Sequence, residues 1–253
     1  MSTDDAQPTV VLVHGAFADA SSWNGVIERL QAQGLEVTAP AIPLRGISID
    51  SAYTASVLEQ IPGPVLLVGH SYGGAVITNA AAKAGNVIGL VFVAAFAPDE
   101  GERLGEVTPE SRDSVLNSAL APHHYPAPNG GEPAVEFGID PAKFHDAFAA
   151  DLPAEQTDVM AATQRPIAEL AFSEPTGPAA WKQLPSWAVV ATGDKAAGAD
   201  LVRSMAQRAG ATITEVEGSH VAFVTKPQPV VDAILDAIRT VSESAPSPAA
   251  ASV

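Results

Sequence analysis

Apolar positions along the chain fall into short runs that alternate with amphipathic stretches. Thr9–Val13 (TVVLV) is β-branched and apolar on both faces, the pattern of a strand buried inside a parallel sheet. In Ser22–Gln33, residues Trp23, Val26, Ile27 and Leu30 fall at i, i+3, i+4 and i+7, one helical face. Gly34 stands where a helix C-terminal cap is wanted. The alternation continues with Leu35–Ala39 (strand), Ser51–Gln60 (helix), Val65–Val68 (strand), Ser71–Ala84 (helix) and Val87–Phe92 (strand). It resumes later with Trp187–Thr192 (strand), Asp200–Ala209 (helix), Thr212–Val216 (strand) and Pro229–Val241 (helix). Such alternation predicts an α/β fold: a mostly parallel sheet of about six strands with helices on both faces.

The rhythm stops near Pro98 and returns near Pro185. The stretch between is rich in proline and glycine, with helical segments at Pro141–Ala150 and Glu155–Ala171 and no strong strand. The expected organisation is a core of residues 1–98 and 186–241 and an inserted, mainly helical cap of residues 99–185. Residues 242–253 (SESAPSPAAASV) read as a disordered tail. Ligands of open α/β sheets bind at the C-terminal strand edge, where such a cap would sit.

Composition narrows the function. Hydrophobic residues make up 47% of the chain and charged residues 17%, enough for a large core. The net charge of −16 repels phosphate backbones and anionic lipid, so nucleic acid and membrane partners are not expected. With no cysteine, thiolate catalysis and cysteine-bound metal are excluded. The acidic N-terminus lacks the pattern of a secretory signal, which makes the cytoplasm the default location. No motif fixes the oligomeric state; a homodimer stands as one option.

The strongest local signal is Gly69-His70-Ser71-Tyr72-Gly73-Gly74, directly after one predicted strand and opening a helix. A serine on so sharp a turn needs neighbours nearly free of side chain, and Gly69 and Gly73 provide them. Ser71 is therefore the candidate nucleophile. A serine hydroxyl needs a base. Of six histidines, His14 and His70 lie in glycine-rich turns and read as structural, while His123, His124 and His145 fall in the cap. His220 follows the last predicted strand at the same sheet edge as Ser71, and is the expected base. Asp194, just after another strand, is the expected acid, with Asp200 as runner-up. The backbone N–H groups of Ala16 and Tyr72 are the expected oxyanion donors, Phe17 being the alternative one register along. Phe17, Trp23, Tyr72, Tyr125, Phe144 and Phe148 are candidate pocket walls. No metal or organic cofactor is called for.

These pieces together resemble the α/β-hydrolase superfamily, and most of all its small esterase branch of plant methyl esterases, hydroxynitrile lyases and bacterial relatives. The matching residues are Val11–Phe17 (VLVHGAF), Gly69–Gly74 (GHSYGG), Thr192–Lys195 (TGDK) and Gly218–His220 (GSH). The resemblance covers the sheet and its helices, not the cap, and implies a sheet lacking the superfamily's first two strands. It also departs in places: Gly193 precedes the acid where relatives often carry glutamate. The lyases keep a threonine after the first histidine and a lysine beside the catalytic one, where this chain has Gly15 and Val221. The resemblance therefore implies a serine hydrolase that cleaves a small-molecule carboxylic ester, or a related lactone or thioester. The alternatives are a ligand-binding protein with little turnover, and C–C bond or cofactor-free oxygen chemistry at the same triad.

Overall fold

The computed structural model describes residues 7–127 and 130–244. Six parallel strands form the central sheet: β1 (Thr9–Val13), β2 (Val37–Thr38), β3 (Val65–His70), β4 (Val87–Val93), β8 (Ser186–Ala191) and β9 (Thr212–Val216). Their spatial order is β2-β1-β3-β4-β8-β9. The inner strands β3 and β8 are buried along their whole length, which is why they read as continuous apolar runs. Edge strand β9 is largely exposed, with only Ile213 and Val216 half-buried.

Of the core helices, α1 (Asn24–Ala32) packs on the last helix, and α2 (Ile47–Glu59) on α3 (Tyr72–Ala81). Gly34 adopts φ +80° and its N–H bonds to the Gln31 carbonyl, closing α1 as expected. The second half of the core adds α9 (Ala199–Arg208), α10 (Ala222–Thr225) and α11 (Gln228–Ser244). α11 lies against β4 and β8, and the Trp187 indole of β8 donates to Asp236 at 3.0 Å. Helix α11 runs through residues 242–244, which the sequence assigned to the tail; the remainder of that segment lies outside the described residues.

Between β4 and β8 the chain builds short helices α4 (Leu104–Val107), α5 (Leu116–Ala119), α6 (Pro141–Phe148), α7 (Ala154–Thr163) and α8 (Leu170–Ser173). It also builds a second sheet, antiparallel, of β5 (Leu120–Tyr125), β6 (Ala134–Ile139) and β7 (Ile167–Ala168). The expectation of a mainly helical insertion is thus corrected. Strand β5 carries Pro122, His123 and His124 with its middle exposed, a composition that hides a strand and is tolerated only because β5 lies at the edge. The expected helix over 155–171 is likewise interrupted. Pro166 disfavours helical angles at the preceding residue, so α7 stops at Thr163 and the chain turns extended. Among the described residues no helix is long and apolar enough to cross a membrane.

Candidate active site

The strand order brings the ends of β1, β3, β8 and β9 to one edge of the sheet, and each is followed by a candidate group. Ser71 follows β3 directly with φ +55° and ψ −123°, a conformation that costs about 1–3 kcal/mol in a residue with a side chain. The surroundings over-determine it: Ser71 N–H donates to the Val93 carbonyl, and its own carbonyl accepts from Gly74 and Phe96. A methyl at Gly73 would lie 2.5 Å from the Val13 carbonyl oxygen, and one at Gly15 would lie 2.7 Å from the Ser71 Cβ. Only glycine lets the turn after β1 approach the elbow this closely.

After β9, the His220 Nδ1–H donates to Asp194 Oδ2 at 2.8 Å, with both side chains 1% exposed. The other Asp194 oxygen accepts from the Ala196 and Ala197 N–H groups, so the carboxylate is held on both sides. The two loops are stitched together as the Gly193 N–H donates to the Gly218 carbonyl at 2.9 Å. Asp200 is engaged elsewhere. Although burial raises its carboxyl, hydrogen bonds led by the Ser111 hydroxyl hold it at about 2 and tie α9 to the insertion. With Nδ1 committed to Asp194, Nε2 is the imidazole nitrogen left to act as base. Among the described residues the Ser71 hydroxyl itself makes no hydrogen bond, to His220 or to any other group.

Two further histidines frame the dyad. The His70 Nε2–H donates to the His220 carbonyl at 3.1 Å, and the two rings are 4.6 Å apart. Burial, reinforced by the His220 ring, keeps His70 well below the usual histidine range. His14 donates from Nδ1 to the Gly15 carbonyl and accepts from the Arg165 guanidinium at Nε2. Burial above all lowers His14 to about 4, so both histidines are neutral near pH 7.

The candidate walls separate. The Phe148 ring centroid lies 5.1 Å from that of His220, and Phe148 in turn packs on Phe17 (edge-on, 6.1 Å) and Phe144 (5.0 Å), so one aromatic cluster reaches the dyad through Phe148. Trp23 is fully buried against His70 and Phe223 and supports the site from within the core. The Tyr72 hydroxyl turns into the core and donates to Asp50 Oδ2 at 2.7 Å. Tyr125 stacks on the Arg45 guanidinium at the end of β5. A cavity of about 530 Å³ opens within the insertion, lined by residues including Leu116, Leu120, Phe137 and Phe172, which sequence reasoning missed. Among the described residues no group of three or more histidine or carboxylate side chains is arranged to hold a metal ion.

Residues 10–233 match the model of the alpha/beta hydrolase family. The chain belongs to that family. Over 103 residues it is 38% identical to Methylesterase 8 of Arabidopsis thaliana, covering 35% of this chain and 38% of that one. It is also 36% identical over 114 residues to Methylesterase 3 of the same plant, covering 39% of this chain and 43% of that one. The match thus spans about two-fifths of the curated relatives' length. The fold is similar to the crystal structure of polyneuridine aldehyde esterase, with TM-score 0.78 and 21% identity, covering 91% of this chain and 99% of that one. It is similar also to tomato Methylketone Synthase I in complex with 2-tridecanone, with TM-score 0.76 and 21% identity over 93% of this chain and 99% of that one.

Proposed function

We propose that this alpha/beta hydrolase is a serine esterase that cleaves small carboxylic esters through an acyl-enzyme on Ser71. The observation that carries the reading is the buried His220–Asp194 hydrogen bond, on the same sheet edge as a serine held in a strained turn. His220 Nε2 takes the Ser71 proton as the hydroxyl attacks the ester carbonyl, and Asp194 stabilises the imidazolium that forms. The serine–histidine hydrogen bond closes when substrate binds, as such contacts tighten in the Michaelis complex. The oxyanion is received by the Tyr72 N–H, which opens α3 and has no intrahelical acceptor. The second donor is the Ala16 N–H, because the Phe17 N–H is already committed to the Arg165 carbonyl at 3.1 Å. His220 then protonates the leaving alkoxide, and water repeats the cycle on the acyl-enzyme.

The names of the methylesterase relatives favour a carboxylic ester as substrate. Phe148 beside the dyad, with Phe17 packed against it, favours an apolar group on the ester. The test is labelling with a fluorophosphonate probe read by intact mass, alongside hydrolysis of p-nitrophenyl butyrate. One adduct on wild type, none on Ser71→Ala, and at least a thousandfold loss of turnover in Ser71→Ala and His220→Ala are expected. Folded wild type that neither labels nor turns over would sink the reading in favour of a binding protein.

A further inference from the structure

Asp50 has no exposed surface, although it sits within α2 beside the nucleophile elbow. A buried carboxylate is costly unless donors surround it. Its Oδ2 accepts from the Tyr72 hydroxyl at 2.7 Å and its Oδ1 from the Arg45 N–H at 3.2 Å. Burial pushes the Asp50 carboxyl up, against the donors led by Tyr72. Burial and the adjacent Asp50 push the Tyr72 phenol well above its usual range, so Tyr72 remains a donor. Replacing both members of a buried hydrogen-bonded side-chain pair by apolar groups is often close to neutral, so the Tyr72–Asp50 bond is not required for stability alone. What the polar pair adds is direction.

We propose that Asp50 is a positioning residue for acyl transfer: by accepting the Tyr72 hydroxyl, it fixes the residue whose backbone N–H receives the oxyanion. The inference rests on the reading of Ser71 as nucleophile. Tyr72 follows a strained residue, and the amide between them must point at the substrate oxygen. Anchoring the far end of the Tyr72 side chain resists rotation of that amide. Preorganised donors of this kind lose much of their value when displaced by a fraction of an ångström.

Asp50 also joins Tyr72 to the insertion. The Leu44–Gly46 loop that donates to Asp50 is gripped by the Ala168 N–H of β7, which bonds to the Leu44 carbonyl at 3.0 Å. Two residues before β7, the Arg165 carbonyl holds the Phe17 N–H on the other arm of the oxyanion hole. One short stretch of the insertion therefore braces both arms, the first directly and the second through Asp50.

The test compares full-length wild type with Tyr72→Phe, Asp50→Ala and the double variant Asp50→Leu/Tyr72→Phe. The readouts are kcat and KM on p-nitrophenyl butyrate, the rate of fluorophosphonate labelling, and Tm. Tyr72→Phe and Asp50→Ala should lower kcat and labelling rate at least tenfold with KM within twofold. The double variant removes both members of the Tyr72–Asp50 bond but leaves the Arg45 N–H without its acceptor, so it should regain part of the Tm lost in Asp50→Ala but not kcat. If kcat in Tyr72→Phe stays within twofold of wild type, or returns with Tm in the double variant, the pair is only structural and the proposal is overturned. A wild type that resists the probe overturns the acyl-enzyme reading itself, whereas undiminished labelling of the variants overturns Asp50 alone. Should Asp50→Ala fail to fold, Tyr72→Phe and the double variant still decide.

Discussion

The elbow and the insertion share one apolar core but differ in how closely their backbones approach it. Around the elbow, β1, β3 and α3 are so closely packed that several backbone atoms meet glycine where any side chain would collide. The insertion shares the apolar core through residues such as Phe144, Phe148 and Leu152, and adds individual directional bonds to it. Arg45 pairs with Glu136, Ser111 donates to Asp200, and Asp151 accepts from both Ser219 and Thr225, on either side of His220. Close packing fixes the place of Ser71, while directional bonds adjust the loops around it. The two regions should therefore fail differently when perturbed.

The largest contrast concerns added volume. Gly73→Ala places a methyl 2.5 Å from the Val13 carbonyl, where only backbone movement can relieve the clash. It should cost about 3 kcal/mol of stability or more, measured by urea unfolding. Gly131→Ala in the insertion meets nothing nearer than 4.0 Å and should stay within about 0.5 kcal/mol. Equal losses would erase the distinction drawn between the regions.

Acid should also act on the core first. His14 is held at about 4 by burial, whereas an unfolded histidine titrates at 6.5. Between those values the unfolded chain binds the additional proton, so stability falls as pH drops from about 6.5 towards about 4. His14 alone accounts for up to about 3 kcal/mol, and His70 acts in the same direction. The exposed His145 of the insertion is shifted the opposite way, by its hydrogen bond to Asp146. Urea midpoints measured at pH 7.5 and pH 5 should drop in wild type. A midpoint unchanged between them would mean that His14 is not buried neutral.

The sequence made the packed region legible because packing leaves a pattern. Runs such as TVVLV show burial on both faces, and GHSYGG between a strand and a helix marks the elbow through the glycines that close approach requires. Directional bonds leave little trace. The Arg165 contact to Phe17 is made by a carbonyl that every residue possesses. Strand β5 is hidden because an exposed edge accepts Pro122, His123 and His124. An aromatic side chain in the sequence does not declare which neighbour it meets, so Trp23 against His70 and Tyr125 against Arg45 leave no distinguishing pattern. Asp50 leaves a signal of its own, just before the helix expected from Ser51. It shares the buried face of α2 with Ile47, Thr54 and Leu58, at spacings of three, four and eight residues.

If the proposed roles hold, the insertion's hold on the His220 loop should appear in turnover more than in stability. Asp151→Ala removes the acceptor for the hydroxyls of Ser219, next to His220, and of Thr225 in α10. The His220–Asp194 bond remains, but its loop loses the link that runs to the insertion. We expect kcat to fall about tenfold, equivalent to about 1.4 kcal/mol, with KM within twofold. Steady-state kinetics on p-nitrophenyl butyrate would check this, and unchanged kcat would mean that core contacts alone orient the base.

The smallest effect belongs to the Arg45–Glu136 ion pair, and it tests whether the insertion's bonds matter singly or together. Arg45 is 37% exposed at its side chain and Glu136 14%, so solvent screens the pair and its worth is about 0.5 kcal/mol. Glu136→Gln keeps the side-chain shape and one acceptor while removing the charge. Arg45 would still stack on Tyr125, and the Ala168 bond to the Leu44 carbonyl would still hold the loop. Tm should shift by no more than about 2 °C and kcat by less than twofold. A tenfold loss of kcat from this one charge would mean that the loop donating to Asp50 is balanced on a single ion pair. The insertion would then govern the oxyanion arm far more sharply than its several parallel contacts suggest.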